Sequence, residues 1–369
     1  MTEWIDRDES LLRLLESASD VLGLDTEFMR VDTFVPKLAL LQLAADGHIA
    51  LIDPLGGIDC APLARVLANA RRCCVMHSAG EDLEALATIL PNGPGRLFDT
   101  QIAAAFAGLG AGLGYQKLVR ELTGVELAKA ETRSDWLRRP LTPNQLDYAA
   151  QDVIHLPVLH AGLSVRLDQR GYSDWLAEDC ARMVERAAHR EPDSEPQIAL
   201  SGAAGWPRER QALLRRVLRW RDRAARTLNR PRPWILDDAH ALGLVARPPA
   251  DGNELFERSK GLRALRGAQR AELLDTLRAP LAPEELEFAP IPGALTAADK
   301  RALAPLREFV AGRATELDLP PGLLCARRHL EALLMTGRWP TALDGWRRGI
   351  LHDGLMARVA EAGQAGSQA

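Results

Sequence analysis

Short apolar runs alternate with helical periodicity through the first half of the chain, and the alternation then stops. Val21 to Asp25, Leu38 to Ala44, Ile49 to Ile52 and Cys73 to Met76 predict strands, the first three close enough for antiparallel pairing. Helical patterns follow from about residue 60 and residue 80. Beyond residue 190, β-branched runs are few and Leu/Ala/Arg periodicity dominates, which predicts helix alone. The pattern therefore predicts an α/β layer domain followed by all-helical segments.

Two proline-bearing stretches interrupt it. His189-Arg-Glu-Pro-Asp-Ser-Glu-Pro-Gln lacks apolar periodicity, and Phe288-Ala-Pro-Ile-Pro-Gly-Ala separates two Arg-rich helical segments, so both predict linkers. The expected organisation is a domain over 1–190, a linker over 191–206, a helical domain over 207–287, a linker over 288–296 and a second helical domain over 297–369. A chain of 369 residues, 47% hydrophobic, has ample core for this, which excludes disordered and collagen-like readings.

The formal net charge of -4 does not announce a nucleic-acid partner. Its distribution is more informative: residues 1–190 carry 19 basic and 27 acidic side chains, the remainder 27 and 23. Five cysteines, Cys60, Cys73, Cys74, Cys180 and Cys325, lack the paired spacings of a zinc site or disulfide framework and predict a reducing cytoplasm. The start Met1-Thr-Glu-Trp-Ile-Asp is acidic where a signal peptide is basic, and no uncharged stretch reaches the roughly 18 apolar residues of a membrane span. A cytoplasmic protein with no membrane association is expected.

The first predicted strand reads Val21-Leu-Gly-Leu-Asp25-Thr-Glu27-Phe-Met-Arg. Strand side chains alternate faces, so Asp25 and Glu27 project from one side and can converge on a cation. Alone, such a pair is an ordinary solvated strand end. In His77-Ser78-Ala-Gly-Glu81-Asp82-Leu, Ser78 and Glu81 form a capping-box pattern that predicts Asp82 in the first turn of a helix, where the helix dipole favours a carboxylate even without metal. In Leu141-Thr142-Pro143-Asn-Gln145-Leu-Asp-Tyr148-Ala-Ala-Gln-Asp152, Thr142 is an N-cap, Pro143 the first helical residue and Gln145 the capping-box partner. Tyr148 and Asp152 then lie one turn apart on one face. Asp25, Glu27, Asp82 and Asp152 together offer four hard oxygen donors, which select Mg²⁺ or Mn²⁺. Four ionised carboxylates repel one another unless two divalent cations neutralise them, and a two-ion site suits in-line displacement at phosphorus. Phosphodiester hydrolysis is the matching chemistry.

Asp25-x-Glu27, Asp82 and Tyr148-x-x-x-Asp152 resemble the three exonuclease motifs of the DEDD superfamily with tyrosine in the third. The surrounding Asp25-Thr-Glu-Phe-Met-Arg-Val-Asp-Thr-Phe, His77-Ser-Ala-Gly-Glu-Asp-Leu, Phe98-Asp-Thr-Gln and Ser134-Asp-Trp-Leu-Arg-Arg-Pro-Leu resemble the ribonuclease D family. The resemblance implies an α/β RNase H-like exonuclease domain, a mixed sheet with flanking helices, that hydrolyses RNA from the 3′ end and releases 5′-mononucleotides. It further implies that Asp25, Glu27 and Asp152 hold one divalent cation, that Asp25 with Asp82 holds a second, and that Tyr148 orients the attacking water. A phenol with an ordinary pKa of about 10 suits orienting better than proton abstraction. Thr26, Phe28, Met29 and His77 are candidate contacts to the terminal nucleotide. Core packing is the alternative for Phe28 and Met29, and a structural hydrogen bond to backbone for His77. Cys73 and Cys74 fall in the strand before His77 as small buried residues.

Pro207 to Leu236 holds ten arginines against Glu209 and Asp222. At about 100° per residue, Leu213, Leu214, Val217, Leu218, Ala224, Ala225 and Leu228 form one stripe, with Arg215, Arg216, Arg219, Arg223 and Arg226 opposite. One face is expected to pack and the other to form a basic ribbon for phosphate backbone. Arg221 falls inside the apolar stripe, where an ion pair is its expected partner. This segment resembles the HRDC domain, a small helical nucleic-acid-binding module. The segment with Leu319-Pro-Pro-Gly-Leu-Leu-Cys-Ala-Arg-Arg-His and Leu343-Asp-Gly-Trp-Arg-Arg-Gly resembles a divergent second copy, giving two all-helical HRDC-like domains. The implied activity is metal-dependent 3′-to-5′ trimming of tRNA precursors and other small stable RNAs, with no obligate protein partner. A DNA-directed exonuclease and a non-catalytic RNA-binding scaffold are the alternatives, the second disfavoured by the intact carboxylate set.

Overall fold

The computed structural model describes residues 2–16, 19–127, 134–189 and 191–366. Strand β1 (Thr2–Ile5) and helix α1 (Asp8–Glu16) precede β2 (Val21–Met29), β3 (Lys37–Ala45) and β4 (His48–Ile52). Helices and strands then alternate through α2 (Ala61–Leu67), β5 (Cys73–Met76), α3 (Gly80–Leu86), β6 (Leu97–Asp99) and α4 (Thr100–Phe106). Four more helices follow: α5 (Tyr115–Thr123), α6 (Pro143–Ile154), α7 (Leu156–Arg170) and α8 (Ser173–Ala188). Beyond residue 190 the described residues form no strand. The helices there are α9 (Arg208–Leu228), α10 (Arg232–Ile235), α11 (Asp238–Ala246), α12 (Gly252–Arg258), α13 (Gly267–Arg278), α14 (Ala297–Glu316), α15 (Pro321–Leu324), α16 (Arg327–Thr336) and α17 (Trp346–Gly366).

The chain divides into two compact units: Met1–Met29, Leu38–His189 and Thr296–Ala369 form one, and Arg30–Lys37 with Arg190–Leu295 the other. The first is built on a sheet of order β1-β4-β3-β2-β5-β6. Strands β1 and β4, β2 and β5, and β5 and β6 pair parallel, whereas β3 and β4 pair antiparallel, so the sheet is mixed as expected. The two strands that periodicity did not predict, β1 and β6, are its edges and only four and three residues long. Central β3 is buried from Leu38 to Ala45 and is apolar throughout but for Gln42, because both its faces are covered.

Two local devices set the end of this sheet where β2 meets α6 and α3 begins. At Gly23 on β2, an added Cβ would lie 3.0 Å from Leu156 Cβ and 3.2 Å from the Val153 carbonyl oxygen, so only glycine lets the α6–α7 junction approach this closely. Fully buried Asp99 caps two helices: Oδ1 accepts from the N–H groups of Gln101 and Ile102 at the start of α4, and Oδ2 from the Ala79 N–H just before α3. The capping box expected at Ser78 is absent. Ser78 takes a left-handed φ of 58°, Ala79 occupies the N-cap without a side-chain bond, and Asp99 supplies the acceptor instead. Asp82 still falls in the first turn.

Residues 296–369 belong to the unit built on the six-stranded sheet. Trp346 stacks on Trp175 at 4.4 Å, its Nε1 donates to Asp179, and Arg347 grips the same carboxylate with bonds of 2.5 and 2.7 Å. Arg170 donates to Asp318, and the Tyr172 hydroxyl to the Leu317 carbonyl. Aromatic side chains on α8 and α17 that could not be buried separately cover each other.

The second unit surrounds α9 with a core that includes Leu214, Val217, Leu218, Trp220, Leu244 and Leu273. Both expected linkers contribute to it: Ala203 and Ile291 are core residues, the Ile291 N–H donates to Gln211, and Gln197 is fully buried with its amide on the Ala289 carbonyl. Most residues of these stretches are exposed, as expected, while Gln197, Ala203, Phe288 and Ile291 are buried.

Candidate active site

Strand β2 and helix α6 bring three carboxylates together. One oxygen each from Asp25, Glu27 and Asp152 lies within 4.8 Å of the others, the set expected to share a cation. Alternation along β2 aims Asp25 and Glu27 to one side, and the contact at Gly23 seats α6 against that strand. The α6 start is as read from sequence, with the full Thr142–Gln145 capping box and Pro143 in the first turn.

Asp82 stands beside this trio rather than within it. Its Oδ1 accepts a 2.6 Å hydrogen bond from the Thr26 hydroxyl, and its charge repels those of Asp25, Glu27 and Asp152. Burial, then repulsion from Asp82, Asp152 and Glu27, drives Asp25 well above the ordinary carboxylate range. Burial and its acidic neighbours push Glu27 up to about 8. Asp82 rises to about 6 through burial, against the Thr26 hydrogen bond. Asp152 also reaches about 6 through burial, opposed by the Tyr148 hydroxyl and assisted by Asp82. A cluster of oxygen donors this reluctant to ionise fits a resident divalent cation, which supplies the missing positive charge.

The Tyr148 hydroxyl hydrogen-bonds Asp152, and burial with the surrounding carboxylates pushes the phenol pKa upward. It therefore stays protonated and acts as a donor. The buried Trp136 ring packs on Tyr148 at 6.0 Å, and Arg139 ties that segment down through a bidentate bond to Asp53 and one to the Ala39 carbonyl. The Ser134–Leu141 text thus frames the tyrosine, a role sequence reading missed. Tyr115 was missed too. Its hydroxyl donates to the Gln151 carbonyl at 3.0 Å, fixing the backbone beside Asp152. An Asp-Thr pair before a helix, as at Asp99-Thr100, was the available signal for the double cap. A cavity of about 660 Å³, lined by residues 111–117, Tyr148 and Asp152, opens beside the carboxylates.

Of the candidate nucleotide contacts, Thr26 is buried with its hydroxyl committed to Asp82, so it faces a carboxylate instead of open space. Phe28 and Met29 are half-buried at the end of β2. His77 bonds the Thr100 side chain: Nδ1 lies 2.8 Å from Thr100 Oγ1, which also donates to the Met76 carbonyl. Burial lowers the His77 pKa and keeps the ring neutral, while a backbone hydrogen bond with Leu113 raises its proton affinity. Its Nε2 is buried and has no partner among the described residues. Cys73 and Cys74 are buried as expected.

The basic ribbon is narrower than its helical projection. Arg215 pairs with Glu195, Arg216 with Glu285 and the Ala279 carbonyl, and Arg226 with Asp222, so these three brace their own unit. Arg219 and Arg223 are exposed and paired with no acidic side chain among the described residues. Glu195 and Glu285 reach α9 from outside the helix, which a single-helix projection cannot register, while Asp222 is the neighbour of Arg226 one turn away on α9. Arg221 pairs with Asp238 at 2.6 Å, an ion pair whose guanidinium is mostly buried and whose carboxylate is exposed.

A family model described as a 3′-5′ exonuclease matches residues 2–168. The chain is 45% identical over 358 residues to the ribonuclease D of Xanthomonas oryzae pv. oryzae, covering 96% of this chain and 98% of that protein. It is 30% identical over 375 residues to the Escherichia coli ribonuclease D, covering 96% and 97%. The crystal structure of E. coli RNase D, an exoribonuclease involved in structured RNA processing, matches with a TM-score of 0.87 at 28% identity over 98% of this chain and 99% of that one.

Proposed function

Because this chain belongs to the ribonuclease D family and is a 3′-to-5′ exoribonuclease, we propose that Asp25, Glu27, Asp82 and Asp152 hold two Mg²⁺ or Mn²⁺ ions at which 5′-mononucleotides are released from RNA 3′ ends. The observation that carries this reading is the convergence of Asp25, Glu27 and Asp152 oxygens within 4.8 Å. When bound, the cations supply Lewis acidity to the attacking water and to the scissile phosphate.

The chain's own groups do the rest. Asp25, Glu27 and Asp152 hold one ion, and Asp25 with Asp82 the other, with Thr26 fixing the Asp82 carboxylate. Tyr148, kept protonated, orients the water toward phosphorus. Phe28, Met29 and the 111–117 cavity receive the terminal nucleotide, and His77 stands behind them on Thr100. Arg219 and Arg223 bind phosphate backbone without reading bases. Residues 207–287 and 297–369 act as HRDC-like segments, and the substrates are 3′-extended tRNA precursors and other small stable RNAs in the cytoplasm. The E. coli relative's part in structured RNA processing and the lack of any membrane-crossing helix among the described residues support that setting.

A 3′-extended tRNA incubated with Mg²⁺, Mn²⁺ or EDTA tests this directly. Wild type should shorten it only with metal, and Asp25→Asn or Asp152→Asn should abolish shortening while leaving circular dichroism and RNA affinity near wild type. Full activity in either variant would refute the metal assignment, and preference for a matched DNA oligonucleotide would refute the substrate.

A further inference from the structure

The loop that leaves the catalytic strand is built into the other unit. Strand β2, ending at Met29, and β3 both lie in the sheet, yet Arg30–Lys37, which spans the connection and the first residue of β3, belongs to the helical unit. Phe34 packs on that unit's core, with the guanidinium groups of Arg226 and Arg232 4.8 and 4.7 Å from its ring centroid. Asp222 sets both guanidinium groups, its two oxygens accepting from Arg226 Nε at 2.7 Å and Arg232 Nε at 2.6 Å. Asn229 ends α9 in the left-handed conformation, φ 47°, and its Oδ1 accepts from the backbone N–H groups of Phe34 at 3.0 Å and Val35 at 3.1 Å. Arg230 adds a bond to the Asp32 carbonyl, and Thr33 closes the loop on the Val35 carbonyl.

A connecting loop of seven residues, 30–36, would be served by solvent and its own turns. This one takes cation–π contacts from Arg226 on α9 and Arg232 on α10, an ion-pair scaffold on Asp222 and two backbone hydrogen bonds to the α9 C-cap Asn229. Glu27 lies three residues before the loop begins, and misplacement of a reacting group by about 1 Å can cost on the order of a hundredfold in rate.

We propose that the end of α9 is a positioning clamp for the active-site strand. Asn229 and the Asp222–Arg226–Arg232 group hold Phe34, and through it the end of β2 that carries Glu27. The helical unit thereby contributes to turnover as well as to RNA affinity. The inference rests on the carboxylate site proposed above.

Asn229→Gly separates the side chain from the backbone, since glycine keeps the left-handed cap and loses only the carboxamide. Asn229→Asp keeps an acceptor oxygen. On a short single-stranded RNA at saturating metal, Asn229→Gly and Phe34→Ala should each lower kcat about fivefold to tenfold with a smaller change in KM. Both should speed backbone hydrogen exchange of the 25–29 segment, and Asn229→Asp should restore rate and protection. Unchanged kcat and exchange in Asn229→Gly, or a change confined to KM, overturns the clamp while an active wild type leaves the carboxylate site standing. A wild type inactive with every metal overturns that site instead, and exchange of the 25–29 segment still decides the clamp.

Discussion

The Thr26 hydroxyl donates a 2.6 Å hydrogen bond to Oδ1 of Asp82, joining the middle residue of the Asp25–Glu27 pair to the first turn of α3. The bond orients Asp82 and lowers its proton affinity against the burial that raises it. Thr26→Val keeps the shape and removes the donor, so kcat should fall about tenfold and the acid limb of the pH–kcat profile should move to higher pH, while Thr26→Ser stays near wild type. Steady-state kinetics across pH checks both. An unshifted acid limb in Thr26→Val would dismiss the role.

Gly23→Ala places a methyl 3.0 Å from Leu156 Cβ, 3.2 Å from the Val153 carbonyl and 3.3 Å from Ala44 Cβ. Two of these neighbours belong to the α6–α7 junction, so the helix carrying Tyr148 and Asp152 must move. We expect a loss of about 1–3 kcal/mol in urea unfolding, together with reduced kcat. Wild-type activity in a stable Gly23→Ala protein would show that the site tolerates displacement of α6.

Glu27 at about 8 and Asp82 and Asp152 at about 6 hold protons in the metal-free fold that an unfolded chain, with carboxylates near 4, has already released. Between about pH 4 and pH 8 the folded state binds more protons, so stability falls as pH rises. In EDTA, Tm should therefore decline from about pH 5 to about pH 8. Stabilisation by Mn²⁺ or Mg²⁺ should grow over the same range, with affinity rising about tenfold per pH unit for each proton displaced. Scanning fluorimetry and pH-resolved calorimetry measure these slopes, and a flat metal affinity would mean that the carboxylates are already ionised.

Asp179 carries Arg347 and Trp346, and its side chain and that of Arg347 are 10% and 12% exposed. Asp179→Ala leaves a mostly buried guanidinium unpaired, at a cost of about 3–5 kcal/mol. Truncation after residue 295 removes Trp346 from Trp175 as well, so it should lower the Tm of the catalytic unit and not merely weaken RNA binding. An unchanged Tm would mean that residues 296–369 are dispensable to that unit.

Arg219→Gln with Arg223→Gln should reduce the slope of log affinity against log salt by about 1–2 for RNA without lowering Tm. Arg216→Gln should instead destabilise, because it breaks the bonds to Glu285 and the Ala279 carbonyl. Filter binding across salt concentrations separates the two classes.

Much of this was legible along the chain. Alternation on β2 paired Asp25 with Glu27, the Thr142–Gln145 box started α6 where it begins, and helical spacing placed Tyr148 one turn from Asp152. Edge strands β1 and β6 were too short to show a period, and Arg215 and Arg216 looked free because their acidic partners lie outside α9, whereas Asp222, one turn from Arg226 on the same helix, was within reach of the projection. The sequence by itself determined residue chemistry and which face of each element is apolar, since both depend on side-chain type and on periods of two or 3.6 residues. Tertiary structure alone decided that Thr26 turns to Asp82, that Trp346 covers Trp175 and that Asn229 holds the loop after β2. Those partners lie tens to hundreds of residues apart, and packing the whole chain, rather than any local period, selects them.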